Sequence, residues 1–323
     1  MMQPQPSSES PARSSFGGRS PERSAIHGTP LFPALPHEWA FGGFLALMTV
    51  RLAFSAGLTD PCTLAFFAYT GICIAVVFWA GQQPTPTHWR IRLLWYPCVM
   101  GLSFYTLSTA VHRLGVPMAD ARLAGWDHAL FGMEPAQVLA RLHLPWLTDL
   151  MVVAYLFFFY YLIFGPAYYC LHHLALFRAC FVGLFTTYAL GFLGYTLLPA
   201  GGPHLVMTDL PPLTGGTVTR LMLPLVNQGS NGVDVFPSLH VAASLYLLMF
   251  DARHYRRRFW WLLLPCIALW FSTVYLRYHY VVDVLGGAVI AAAGLVTARL
   301  YRRSERARVA DMADRCSVSG TVT

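Results

Sequence analysis

The chain contains no lysine: all 22 of its basic residues are arginine, against 15 acidic residues in 323. Charged residues make up only 11% of it, well below the soluble globular average, which argues against a water-soluble domain. The seven cysteines (Cys62, Cys73, Cys98, Cys170, Cys180, Cys266 and Cys316) show no CxxC or Cys/His spacing. Six of them, all but Cys316, fall within or at the edges of apolar blocks and are expected to be small core residues. Residues 1–36 lack an apolar core and are rich in Pro, Ser, Gly and Arg, so a disordered tail is expected there rather than a signal peptide. The net charge of +7 is spread over helix ends and tails, where membrane orientation explains it, so nucleic acid is not an expected partner.

What is abundant is apolar sequence, 56% of the chain, arranged in long blocks rather than stripes. Eight blocks approach the ~20 residues that a helix needs to cross a bilayer. They run Trp39 to Leu58, Thr63 to Gly81, Ile91 to Val111, Trp146 to Leu171, Phe177 to Leu198, Phe236 to Phe250, Phe259 to Leu276 and Val281 to Leu300. The expected fold is all-α: a polytopic transmembrane bundle of about eight helices, with a six-helix catalytic core and two N-terminal helices. The expected divisions are a cytoplasmic tail (1–36), N-terminal transmembrane helices (37–112), an interfacial segment (113–145), the catalytic core (146–302) and a second cytoplasmic tail (303–323). Alternate sides of this scheme hold 16 and 5 arginines, with Arg51 inside the first helix. The positive-inside bias then puts both termini in the cytoplasm and the connections 113–145 and 199–235 outside a plasma membrane.

Two stretches place ionisable groups at helix starts: Phe236-Pro237-Ser238-Leu239-His240, and Tyr275-Leu276-Arg277-Tyr278-His279-Tyr280-Val281-Val282-Asp283. Ionisable groups at membrane depth are costly, so they are functional candidates by default. His279 and Asp283 are four residues apart, one turn on a continuous helix, so the carboxylate can reach the imidazole. Such a pair fixes the ring tautomer and makes the far nitrogen a base or nucleophile. One helix returns between His240 and His279, so both lie at the same membrane face. Ser238 is both a natural helix cap and a candidate phosphate ligand at a helix N-terminus. Asp234 is expected to be a solvated loop acid, with binding of a polar alcohol as the alternative. Gly286-Gly287 would permit close helix packing.

Pro-Ser-x-His combined with Tyr-Leu-x-x-His-Tyr-x-x-Asp and Gly286-Gly287 resembles the type 2 phosphatidic acid phosphatase superfamily. Within it, the chain is similar to the inositol phosphorylceramide synthase branch, to which Asp127 with Leu130-Phe131-Gly132 also conforms. The resemblance covers about Trp146 to Leu300. It implies that His279 attacks phosphorus to form a phosphohistidine, that Asp283 assists, that His240 protonates the leaving group, and that no metal or other cofactor takes part. Membrane lipids would be the substrates, with a phospholipid donor and a lipid alcohol or water as acceptor. The family's arginine six residues before the nucleophile is Thr273 here, and the Gly-Pro-Arg of the synthase branch reads Gly202-Pro203-His204. Positive charge must then come from Arg277 or Arg220, with His204 beside them. On a regular helix Arg277 points away from His279, so its contribution requires the helix to begin near Tyr278.

Three other readings stay open. One is hydrolysis of a lipid phosphate or prenyl pyrophosphate. Another is a proton-coupled transporter, which needs ionisable groups strung along a path rather than gathered at one face. The third is a haem or copper protein with paired histidines, which leaves the Pro-Ser and Asp contexts unexplained.

Overall fold

The computed structural model describes residues 34–83, 85–142 and 144–319. The tail expected over 1–36 lies outside the described residues except for its last three positions, as do the last four residues of the chain. Among the described residues there are twelve helices and no strand. They are α1 (Pro36–Ser55), α2 (Pro61–Gln82), α3 (Pro86–Leu114), α4 (Asp120–Phe131), α5 (Pro135–Leu139), α6 (Pro145–His172), α7 (Leu174–Leu197), α8 (Pro203–Val206), α9 (Thr217–Gly229), α10 (Leu239–His254), α11 (Arg256–Tyr275) and α12 (Val281–Ser319). The all-α bundle is as expected from the apolar blocks.

Proline sets several helix starts, because its fixed φ suits the first turn and that turn has no use for its missing N–H. Pro61 and Pro86 follow the side-chain caps Asp60, which accepts from Cys62 N at 2.9 Å, and Thr85, which accepts from His88 N at 3.2 Å. Five helical segments are long and apolar enough to cross a membrane: Pro61–Gln82, Pro145–His172, Leu174–Leu197, Arg256–Tyr275 and Val281–Ala310. Three further blocks fall in α1, α3 and α10. With 16 residues, α10 is about 24 Å long against a hydrocarbon core of about 30 Å, so one of its ends stops short of a membrane surface. The last helix runs on beyond residue 302, where the sequence suggested a tail, and no break separates the two parts.

The centre of the bundle is α7, which packs against α1, α3, α6, α10 and α12. Residues Ala179–Ala189 are buried without interruption, as expected for a helix surrounded by others rather than by lipid. A buried carboxylate ties the far end of α10 to its neighbours: Asp251 accepts from Tyr161 Oη at 2.7 Å, Tyr169 Oη at 2.5 Å and Arg258 Nε at 2.7 Å. With both oxygens bonded in this way, a buried charge is held rather than stranded. The hairpin of α10 and α11 is thereby fixed to α6, and the register of the hairpin's other end follows.

At that other end α10 and α12 meet closely. A Cβ on Gly287 would lie 2.5 Å from the Ser238 carbonyl oxygen, and one on Gly286 would lie 3.0 Å from the Phe236 ring. Only residues without a side chain admit this approach. The contact is sealed by Ser238 N, which donates to the Asp283 carbonyl at 3.0 Å. The two motif stretches, with 34 residues between them in sequence, are thus bonded through their backbones.

Candidate active site

His240 stands in the first turn of α10, after Ser238 at the cap position. Its carbonyl accepts from Ser244 Oγ at 2.5 Å, and Ser244 Oγ in turn accepts from Trp270 Nε1 at 2.8 Å, which ties this turn to α11. Its ring packs on Tyr155 and Phe158 of α6, with centroids 4.7 and 4.5 Å away. His279 precedes α12 on the loop that follows α11. Its Nε2 is 3.2 Å from His240 Nδ1, and the two rings meet edge to face with centroids 5.4 Å apart. The two imidazoles share one face, as the hairpin argument required.

Behind His279, its Nδ1 lies 3.5 Å from Asp283 Oδ2. The route to this contact differs from the expected helical pair. Helix α12 begins at Val281, so His279 sits before it and Asp283 lies in its first turn. Asp283 Oδ2 also accepts from Tyr280 N at 2.7 Å. Neither His279 Nδ1 nor Asp283 Oδ1 has a hydrogen-bond partner, though both residues are almost fully buried. Burial pushes the His279 imidazole down to about 4, with Asp234 opposing the shift, so the ring is neutral at ordinary pH. A neutral ring keeps one of its two nitrogens unprotonated.

The start of α12 is braced by two carboxylates that the motif reading did not assign. Asp127 of α4 accepts from Val281 N and Val282 N, both at 2.8 Å. Asp120 accepts from Gly201 N at 3.0 Å, Gly202 N at 2.8 Å and Tyr280 Oη at 3.1 Å. These bonds satisfy N–H groups that a helix start leaves open. They also fix the three residues that follow His279, Tyr280 to Val282. Asp127 was visible in the sequence only as part of the resemblance, and Asp120 carried no signal.

Arg277 is the one non-glycine residue with positive φ among the described residues, at 67°. This left-handed conformation is unfavourable for a long side chain and persists only where the surroundings enforce it. Its backbone carbonyl accepts from His204 N at 2.8 Å, and its Nη1 donates to the Pro211 carbonyl at 2.7 Å. The side chain is 5% exposed, yet its Nε and Nη2 have no partner, and burial lowers its pKa with no carboxylate to offset the effect. The helix begins too late for the expected route, so it is the left-handed turn that sets the direction of Arg277. His204 lies beside it, its ring 4.8 Å from that of Tyr278, with Nδ1 buried and unpartnered. Burial also lowers the His204 pKa, and His279 contributes to that shift.

The remaining residues fall into place differently. Ser238 is fully buried and accepts from Val241 N at 3.4 Å, the geometry of a helix cap. Arg220 is exposed on α9 with Nη2 3.5 Å from Thr217 Oγ1, and is not gathered with the histidines. Thr273, at the position of the family's arginine, is fully buried and donates to the Trp270 carbonyl at 2.8 Å. Asp234, expected to be solvated, is partly buried and held by Ser230 Oγ at 2.9 Å. Burial raises its pKa while His279 opposes the rise, so the two groups interact. Among the described residues no group of three or more His, Cys, Asp or Glu side chains could hold a metal ion.

The arrangement therefore brings together a neutral imidazole, a second imidazole 3.2 Å from it, and a buried guanidinium with two unpartnered nitrogens. A family model described as the PAP2 superfamily matches residues 121–297, a span that includes both histidines, Asp283, His204 and the bracing Asp127. No curated protein and no solved structure matches the chain. With more than half of its length matched and its bundle of membrane-length helices, the chain belongs to the PAP2 superfamily and is a multi-pass membrane enzyme of the phosphatase and phosphotransferase type that acts on lipids.

Proposed function

We propose that the chain moves a phosphate-linked group from a phospholipid donor to an acceptor hydroxyl through a covalent phosphohistidine on His279. In the first half-reaction His279 Nε2 attacks phosphorus, the P–O bond to the leaving alcohol breaks, and His240 gives that alcohol a proton. In the second, His240 takes a proton from the acceptor hydroxyl, the new P–O bond forms, and the P–N bond breaks. Asp283 faces the proton on Nδ1 and stabilises the imidazolium that attack creates; its 3.5 Å separation shortens as charge develops, as such contacts do once substrate is bound. No metal or other cofactor is assigned a part in this scheme.

The observation that carries this reading is the 3.2 Å approach of His240 Nδ1 to His279 Nε2, with a carboxylate on the opposite side of the nucleophile's ring. The open donors of Arg277 and His204 support a phosphate held beside it, because a buried guanidinium without an acceptor costs free energy that an anion would offset. Ser238 serves chiefly as the cap that aims His240. Arg220 contributes to the approach of anionic headgroups rather than to the phosphate clamp.

The acceptor is a lipid alcohol, in the manner of the inositol phosphorylceramide synthase branch, and the active end of the bundle faces away from the cytoplasm. Two features favour transfer. The helix-α11 position at which phosphatase members carry a clamping arginine is the buried Thr273, and Asp234, close enough to His279 for their charges to interact, offers an acceptor for the hydroxyl of an alcohol. Hydrolysis of a lipid phosphate or prenyl pyrophosphate is the second reading, since water can enter the same second step. Proton-coupled transport is disfavoured because the histidines, His204, His240 and His279, gather with Asp283 at one end of the bundle rather than along a path across it.

Purified protein supplied with labelled phosphatidylinositol, phosphatidic acid or a prenyl pyrophosphate, with and without ceramide or diacylglycerol, separates these readings. A new phospholipid formed only when the lipid alcohol is present supports transfer. Release of the phosphate-linked group to water from every active donor, as free phosphate from phosphatidic acid or a prenyl pyrophosphate and as inositol phosphate from phosphatidylinositol, unchanged by the alcohol, overturns it in favour of hydrolysis. Arg277→Met is expected to lower kcat/KM by about a hundredfold, the scale of one lost charge-stabilising donor, with Arg277→Lys recovering part of it. Unchanged kinetics in Arg277→Met would remove this residue from the phosphate clamp.

A further inference from the structure

At the end of the bundle remote from the histidines, α10 and α12 enclose a cavity of about 180 Å³. Five arginines line it (Arg253, Arg299, Arg302, Arg303 and Arg306) together with His254, and no acidic side chain does. The two carboxylates nearest in the chain are engaged elsewhere. Glu305 is held by Arg178 at 2.8 Å and by Tyr301 Oη at 2.6 Å, and Asp251 is held by Tyr161, Tyr169 and Arg258. Arg302 reaches into the cavity wall and meets the His254 ring. His254 Nδ1 is 2.8 Å from the Phe250 carbonyl, so Nδ1 donates and Nε2 accepts from the guanidinium; the imidazole is neutral and neutralises nothing. The remaining wall is apolar, formed by Met249, Phe250, Leu295 and Ala298.

Positive charge at a helix end needs only to be present to orient a membrane protein, and arginines spread around the rim would serve. These converge instead on one concave site whose lining holds no acidic side chain to offset their mutual repulsion. The apolar wall is shared by α10 (Met249, Phe250) and α12 (Leu295, Ala298), and the arginines follow it in the chain on the same two helices. A free phosphate or nucleotide would have no use for that wall, whereas a lipid would lay its chain on it beneath a clasped headgroup.

We propose that this cavity is a binding site for the phosphate headgroup of an anionic phospholipid from the leaflet at the arginine-rich end, separate from the site that reacts. The proposal does not depend on whether the enzyme transfers or hydrolyses.

Native mass spectrometry of the full-length protein in neutral detergent, titrated with phosphatidylglycerol or with phosphatidylcholine, tests it. The triple variant Arg299→Gln, Arg303→Gln, Arg306→Gln changes exposed side chains only and leaves the Arg302–His254 contact intact. The wild type is expected to hold one phosphatidylglycerol per chain about tenfold more tightly than the triple variant, with no such difference for phosphatidylcholine. The double variant Arg256→Gln, Arg257→Gln removes neighbouring charge that does not line the cavity and is expected to bind as the wild type does. Equal affinity in the wild type and the triple variant would overturn the proposal. So would an equal loss in the double variant, which would mean diffuse charge, or displacement of the lipid by millimolar inorganic phosphate, which would mean a site for free anions.

Discussion

Replacing His279 with Gln is expected to lower turnover by about 10⁴-fold or more, the scale seen when a covalent nucleophile is lost, while the chain stays folded. Glutamine keeps a polar group of similar length at a position 2% exposed, so it avoids a large cavity, and the backbone bonds from Tyr278 N and His279 N to the Thr273 carbonyl remain. Folding is checked by the thermal midpoint in detergent, and activity by release of product from labelled phospholipid. Asp283→Asn is expected to do less, because it leaves the nucleophile in place and removes only the charge behind it. Activity in His279→Gln within tenfold of the wild type would exclude a nucleophilic role.

The second large effect is expected at His240 and depends on the leaving group. His240→Gln should slow turnover of a natural phospholipid by about 10²- to 10⁴-fold, the usual range for a general acid or base. With an activated aryl phosphate, whose leaving oxygen needs no proton, the first half-reaction should be largely restored. The second half-reaction still needs a base. The His240→Gln variant should therefore accumulate phosphorylated enzyme and show a burst of aryl alcohol equal to the enzyme present, followed by slow turnover. Rapid quench of the first seconds reads this directly. Equal slowing of both substrates without a burst would mean that His240 only packs against His279.

The sequence showed the class of fold because eight apolar blocks leave a bilayer protein little alternative. It showed less of the site, and for a physical reason. The meeting of His240 and His279 could be argued from hairpin topology alone. The His279–Asp283 contact was expected from helical periodicity but is made by a loop residue and a first-turn residue, which period counting does not distinguish. Asp120 was invisible because its partners Gly201, Gly202 and Tyr280 lie 81, 82 and 160 positions away, and only the fold brings them together. Arg277 was named as a candidate on a helical argument that does not apply: a left-handed residue before α12, not an early helix start, sets its backbone. Arg220 shows the converse, a charge whose position in the chain suited the site and whose place on the outer face of α9 does not.

The account depends on phosphorus becoming bonded to one ring nitrogen. Acid-labile label should be trapped by alkaline quench during steady-state turnover of a donor labelled at phosphorus, then located by fragmenting the peptide that spans residues 277–283. The expected result is a phosphoramidate on Nε2 of residue 279, formed and consumed fast enough to carry the overall rate. Label on residue 240 instead, or full turnover with no phosphorylated protein at any time, would contradict it.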